Sequence, residues 1–178
     1  ALDEIMVKKV HKDAGNEVVI EEFLVGQEIS IHVLCDGIDF KMFPAAQDHK
    51  RAFDNDGGKN TGGMGTIAPV PWVTPEMMYS IERTIVKPML EALSFKGALF
   101  TGILFPGIIM TESGPKVLEF NARFGDPETQ VYMRLLKSDL LELLDATVSG
   151  KLGEMEMEWH PIHAANIVLA SGGYPDAY

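Results

Sequence analysis

The stretch Val117-Leu118-Glu119-Phe120-Asn121-Ala122-Arg123-Phe124-Gly125-Asp126-Pro127-Glu128 decides how this chain is read. Its first half has the composition of a strand, on which alternate residues share a face. Glu119 and Asn121 are then expected to project together, with Leu118 and Phe120 turned to the core. A carboxylate beside an amide carbonyl is a hard-oxygen pair, and magnesium takes one or two such protein ligands and completes its shell with water and phosphate. A solvated polar strand end is equally compatible with the spacing alone. Arg123 follows with a planar fork suited to a carboxylate or phosphate. Gly125 permits a sharp turn, and Asp126 with Pro127 has the form of a helix start, Asp126 as its cap.

Outward from this point the pattern is mixed α and β. Residues 100–110 and 116–121 are expected to pair as strands about a turn at Ser113-Gly114, with Pro106 interrupting the first. Residues 18–24 form an apolar run expected to be a buried strand, and Ile29, Ile31 and Val33 alternate as a second one. Asp36-Gly37 turns the chain back into Ile38, Phe40 and Met42 as a hairpin. Thr74 and Pro75 cap a helix bearing Met78, Ile81 and Ile85, which Pro88 kinks or ends and Gly97 closes. Residues 138–148 are amphipathic and end at Gly150. Residues 154–161 form an acidic linker, and residues 164–170 a strand for which no partner is evident. Residues 47–65 are a polar stretch longer than ordinary connections, the kind of loop that usually carries function.

Composition narrows the function. The chain has 178 residues, with 15 Lys and Arg against 26 Asp and Glu and a net charge of −11, which opposes unspecific attraction to nucleic acid or anionic lipid. With 46% hydrophobic and 23% charged residues it reads as globular. No apolar run is long enough for a membrane span, Cys35 is the only cysteine, and the first residues lack the features of a signal peptide. A cytoplasmic enzyme or binding protein is expected. Residues 1–12 carry Leu2, Ile5, Met6 and Val10 at helical spacing without an initiator Met, and the chain is expected to be a fragment cut at both ends.

Several motif matches fail on inspection. Gly63-Met64-Gly65-Thr66-Ile67-Ala68 fits a dinucleotide fingerprint, but no strand is expected before it, and Pro69 and Pro71 forbid the helix that should follow. Gly58-Lys59 is followed by Asn60 where a phosphate loop needs Ser or Thr. Asp54 and Asp56 begin like a calcium loop, yet Lys59 occupies the position of the turn glycine. His160 and His163 lack further zinc ligands. One constellation survives, Glu21-Glu22-Phe23-Leu24 followed by Glu28. An extended edge there can offer backbone groups to an adenine and a carboxylate to ribose hydroxyls, although a plain strand, turn and strand explains that stretch equally well.

Taken together, VVIEEFL-x-G-x-E, QDHKR, NTGGMG, TGIL, GPKVLEFNARFGDPETQ, KSDL and GGYP closely resemble the glycinamide ribonucleotide synthetase (phosphoribosylamine-glycine ligase) family of ATP-grasp ligases, in the family's order and over nearly the whole chain. The resemblance implies an α+β fold, an ATP-grasp lobe with an antiparallel sheet and flanking helices, truncated at both ends. Residues 1–27 would be a remnant of the first lobe with the adenine hinge, 28–153 the C-terminal lobe, and 154–178 a linker and the start of the next domain. Glu21, Glu22, Phe23 and Leu24 would form the hinge, Glu28 would hold ribose, and Glu119 and Asn121 would hold Mg2+ (or Mn2+) on the phosphates of ATP. Arg123 and Asp126 would serve catalysis, with Asp48, Lys50, Thr61, Gly62 and Gly63 around the substrates, glycine and phosphoribosylamine. The implied reaction makes glycyl phosphate from ATP and glycine, then glycinamide ribonucleotide, ADP and phosphate, in purine biosynthesis.

Departures from the family pattern are Lys59 for a common Pro, Pro106 for a common Ala, and PDAY in place of a glycine after GYP. The family's N-terminal domain and its glycine-rich, lysine-bearing loop are expected outside this chain, and in animals further purine-synthesis domains share the polypeptide. The competing expectation is a nucleotide-binding or interaction module that keeps the grasp shape without catalysis.

Overall fold

The computed structural model describes residues 1–177. Its framework is an antiparallel sheet built on one long strand. In chain order the strands and helices are β1 (Gln27–Ser30), β2 (Val33–Asp36), β3 (Phe40–Met42), β4 (Gln47–Asp48), β5 (Arg51–Phe53), β6 (Gly57–Asn60), β7 (Gly65–Ala68), α1 (Pro75–Ile81), α2 (Lys87–Phe95), β8 (Thr101–Thr111), β9 (Gly114–Asn121), α3 (Glu128–Leu135), α4 (Leu140–Ser149) and β10 (Ala164–Ile167). β8 takes β1 and β2 end to end along one edge and β9 along the other, and β3 pairs with β2 as the expected hairpin. The fold is the mixed α+β, antiparallel arrangement that the motifs implied.

Pro106 does not interrupt β8, which runs through it unbroken. The break appears across the ladder instead, where Ile29, Ile31 and Val33 divide into two strands. Ser30 pairs with Gly107 and Val33 with Leu104, leaving Ile31 and His32 opposite Pro106 and Phe105. Proline has no N–H to give a neighbouring strand, so the partner can part there at little cost, and Ile31 N–H still donates to the Pro106 carbonyl at 3.3 Å.

Alternation sends successive side chains to opposite faces, and helices cover the sheet on both. Ile29, Ile31, Val33 and Cys35 meet Ile81, Ile85 and Val86 of the α1–α2 layer, while Leu34 joins Val131, Tyr132, Leu135 and Leu143 of α3 and α4. Thr74 caps α1 through its side chain. The helix does not end at Pro88, because a π turn at Glu82–Val86 leads into α2, where proline lies in the first turn and needs no N–H partner. Asp139 and left-handed Gly150 delimit α4.

Other expectations are corrected. Residues 18–24 form no strand, and Val19, Ile20 and Phe23 are exposed, because nothing in the described residues lies over them. Leu118 and Phe120 do not enter the core but stand exposed on β9, whose ladder shifts register between Gly107 and Ile108. The first residues give only a π turn (Asp3–Val7) and a 3-10 turn (Lys12–Asn16), since a short apolar stripe with no surface to pack on does not sustain a helix. The strand expected near residue 164 does have a partner, as β10 pairs antiparallel with β7. The long polar stretch is ordered by β4, by the β5–β6 hairpin and by β7. Tyr178 of the 154–178 segment lies outside the described residues.

Candidate functional site

A cleft opens over the sheet where β1, β8 and β9 face the polar loops and the start of α3. It is lined by Glu28, Ser30, Asp48, Lys50, Gly62, Glu119, Arg123, Asp126 and Glu128, with Phe105 and Ile108 as an apolar wall. Seven residues chosen from the sequence thus converge from segments far apart in the chain, namely Glu28, Asp48, Lys50, Gly62, Glu119, Arg123 and Asp126. Asn121, Thr61 and Gly63 do not line it themselves but adjoin residues that do, Glu119, Lys50 and Asp48 respectively. Glu21, Glu22, Phe23 and Leu24 line a neighbouring groove against Ile109, Lys116, Val117 and Leu118, and Glu28 borders both spaces.

The pairing of Glu119 with Asn121 follows from β-alternation, and Asn121 Nδ2 donates to Glu119 Oε1 at 3.0 Å. Exchanging the amide nitrogen and oxygen of Asn121 leaves its shape almost unchanged and turns two hard oxygens to the same side. The pair therefore fits Mg2+ by donor chemistry. Among the described residues no group of three or more His, Cys, Asp or Glu side chains forms a denser metal centre.

Lys50 Nζ lies 3.1 Å from Glu28 Oε2. Burial by itself would lower the Lys50 pKa, but Glu28, Asp48 and Glu119 together raise it, so the ammonium is retained in the cleft. Asp48 behaves oppositely. Burial, reinforced by Glu128 and Glu28 against the pull of Lys50 and the His49 backbone, pushes its carboxyl up to about 7. Its Oδ1 is buried without a hydrogen-bond partner.

The loop before β7 is braced from within. Thr61 donates to the Lys50 carbonyl from both its backbone N–H, at 2.7 Å, and its hydroxyl, at 2.8 Å. Gly63 N–H in turn donates to Thr61 Oγ1 at 3.0 Å, and Gly62 N–H donates to the Tyr174 hydroxyl at 3.0 Å. Gly63 has φ +123°, and a Cβ there would lie 2.4 Å from Pro127 Cδ and 2.7 Å from Asp48 Oδ1, so only glycine lets this loop close on the turn before α3.

That turn departs from the expected cap. Asp126 does not cap α3 but accepts from Gln130 Nε2 at 2.7 Å, while the Gly125 carbonyl accepts from Thr129 N–H at 3.0 Å. Arg123 donates to the Phe124 carbonyl at 2.9 Å and lies over Phe105, 5.9 Å from the ring centre. Beneath it is a buried polar set that was not singled out from the sequence. His32 Nε2 accepts from Gly125 N–H at 2.8 Å, His32 Nδ1 lies 3.2 Å from Tyr132 Oη, and Ser30 Oγ donates to Glu128 Oε1 at 2.6 Å. The signal was the second face of the broken strand, where Ser30, His32 and Leu34 alternate toward α3, and the Glu of GDPETQ.

Against this geometry, the chain matches the family described as phosphoribosylglycinamide synthetase, ATP-grasp (A) domain, over residues 1–129. The chain belongs to this family. A phosphoribosylamine–glycine ligase from Chlorobaculum tepidum is 48% identical over all of this chain, which covers 42% of that protein. The human trifunctional purine biosynthetic protein adenosine-3 is 46% identical, again over all of this chain and 18% of its own length. The crystal structure of a phosphoribosylamine–glycine ligase from Thermotoga maritima is similar with a TM-score of 0.73 and 34% identity, over 88% of this chain and 39% of that one. The chain therefore spans about two fifths of the single-function relatives. Membership in an ATP-grasp family implies use of ATP. No helix among the described residues is long and apolar enough to cross a membrane.

Proposed function

We propose that the chain forms the C-terminal grasp lobe of an ATP-dependent ligase that joins glycine to 5-phosphoribosylamine in cytoplasmic purine biosynthesis. The observation that carries this reading is the convergence of Glu28, Lys50, Asp48, Gly62, Glu119, Arg123 and Asp126 on one cleft. Residues 1–27 would carry the hinge, 28–153 the lobe, and 154–178 the link onward.

In the proposed reaction an oxygen of the glycine carboxylate attacks the terminal phosphorus of ATP and the bond to ADP breaks. The amine of phosphoribosylamine then attacks the carbonyl carbon of glycyl phosphate, and phosphate leaves with the carboxylate oxygen. Such chemistry needs placement and charge neutralisation more than a protein nucleophile. Glu119 and Asn121 would hold Mg2+, whose charge when bound offsets that of the phosphates. Arg123 supplies free guanidinium donors at the cleft, and Lys50, kept cationic by Glu28, adds a second positive group. Asp126 and the Gly62–Gly63 loop bound the space left for glycine and the amine. The backbone groups of residues 21–24, free of hydrogen bonds among the described residues, are available to an adenine edge, with Glu28 beside them for ribose.

The test is ATP turnover by the full-length protein. Glycine-dependent release of ADP and formation of glycinamide ribonucleotide support the ligase. Tight ADP binding without glycine-dependent turnover would support the non-catalytic nucleotide module instead. The name of the human relative makes a parent polypeptide with further purine-synthesis domains part of the same reading.

A further inference from the structure

His32 sits at the break between β1 and β2, wholly buried, with its ring stacked on Phe105 at 4.2 Å and set edge-on to Tyr132 at 4.9 Å between centres. Its Nε2 is an acceptor, because the group facing it at 2.8 Å is the backbone N–H of Gly125. A neutral imidazole with a bare Nε2 carries its proton on Nδ1, so Nδ1–H donates to Tyr132 Oη.

Gly125 is held from both sides. Its N–H is bound to His32 and its carbonyl receives Thr129 N–H at the start of α3. A Cβ on Gly125 would lie 2.8 Å from His32 Nε2 and 2.4 Å from Glu128 Oε2, so the turn is pressed against this buried set with no room for a side chain. Arg123 lies two residues before this point and Asp126 one residue after it, and both line the cleft. The Phe105 ring that supports the Arg123 guanidinium is the ring on which His32 stacks.

We propose that His32 is a positioning residue for the ligase reaction, fixing the Gly125 N–H and through it the Arg123–Asp126 turn against the substrate cleft; this rests on the ligase reading above. The acceptor does not switch off near neutral pH. Burial, helped by the charge of Arg123, lowers the His32 pKa to about 3, and burial with Glu128 nearby holds the Tyr132 hydroxyl well above its ordinary range. The sheet thus presents a fixed acceptor to the F-G-D-P turn and holds it as a rigid part of the site.

The experiment compares His32→Leu, His32→Gln and His32→Asn in the full-length enzyme. Gln carries a carbonyl about as far from the backbone as Nε2, whereas Leu has no acceptor and Asn is too short. Displacing a substrate-facing turn by about an ångström costs on the order of a hundredfold in rate. His32→Leu and His32→Asn are therefore expected to lose about a hundredfold in kcat/KM for glycine, with ADP affinity changed less than about threefold because the hinge groove is separate. His32→Gln is expected to recover to within about tenfold of the parent. Amide exchange at Gly125 should be slow in the parent and in His32→Gln and fast in His32→Asn. If His32→Leu does not fold, the Gln and Asn pair carries the comparison. Parent-like kcat/KM in the Asn variant, or rapid exchange at Gly125 in the parent, overturns the proposal. Absence of glycine-dependent turnover in the parent would instead overturn the ligase reading, and the exchange at Gly125 would still decide whether His32 holds the turn.

Discussion

Replacing Asp48 with Asn should make the protein more stable at alkaline pH and leave it unchanged in acid. In the folded chain the carboxyl is pushed from its ordinary 3.8 up to about 7, first by burial and then by Glu128, with Lys50 only partly compensating. A raised carboxyl pKa means that the native state binds the proton more tightly than the unfolded chain. Stability from this group is then fully present below about pH 4 and is lost as pH rises through about 7. For a group sealed from solvent, this displacement would correspond to about 4 kcal/mol at pH 8. Asp48 keeps part of its surface at the cleft mouth, and screening there reduces the expected gain of the Asn variant to about 1–2 kcal/mol. Trp72 and Trp159 pack against the two cores, so urea denaturation of the 178-residue chain followed by tryptophan fluorescence reads the lobe directly. The stability difference should shrink toward zero as the pH is lowered from 8 to 4. A variant less stable than the parent at pH 8 would show that Asp48 is an ionised partner of Lys50, and the reasoning would fail.

Glu119→Gln in the full-length protein should lower glycine-dependent ATP turnover by about a hundredfold to a thousandfold, the usual loss for one preorganised electrostatic group, with partial recovery at high magnesium. Its melting temperature should barely move, because Glu119 is exposed, and near-normal turnover at limiting magnesium would remove the metal assignment. Gly63→Ala should destabilise by about 1–3 kcal/mol, from its positive φ and the contacts with Pro127 and Asp48, measurable by denaturant titration. The 178-residue chain should bind ADP weakly and in preference to GDP by calorimetric titration, and equal binding of the two would detach residues 21–24 from adenine recognition.

The sequence was most readable where chemistry and periodicity coincide. Glu119 and Asn121 stand two apart on a strand, and their side chains meet as alternation requires. The hairpin at Asp36-Gly37, the Thr74 cap and the left-handed Gly150 were also legible, because each rests on a local preference. Residues 18–24 misled for the opposite reason. An apolar run announces a need for a partner surface, but it does not say whether that surface is supplied by the described residues. Leu118 and Phe120 failed similarly, since period two distinguishes two faces without telling which is covered. His32 and Glu128 escaped notice because a buried histidine and a buried glutamate are defined by contacts almost a hundred residues away, with Gly125, Tyr132 and Ser30. Pro106 shows the same limit, as its effect appears in the neighbouring strand rather than its own.

The most direct test of the central claim follows an atom through the reaction. The full-length enzyme is supplied with ATP, phosphoribosylamine and glycine labelled with 18O in its carboxylate, and the released phosphate is examined by 31P NMR. If the carboxylate oxygen attacks phosphorus and leaves with it when the amine arrives, each phosphate formed carries one 18O. Unlabelled phosphate accompanying glycinamide ribonucleotide would contradict the account, because the carboxylate would then have been activated by some route other than glycyl phosphate.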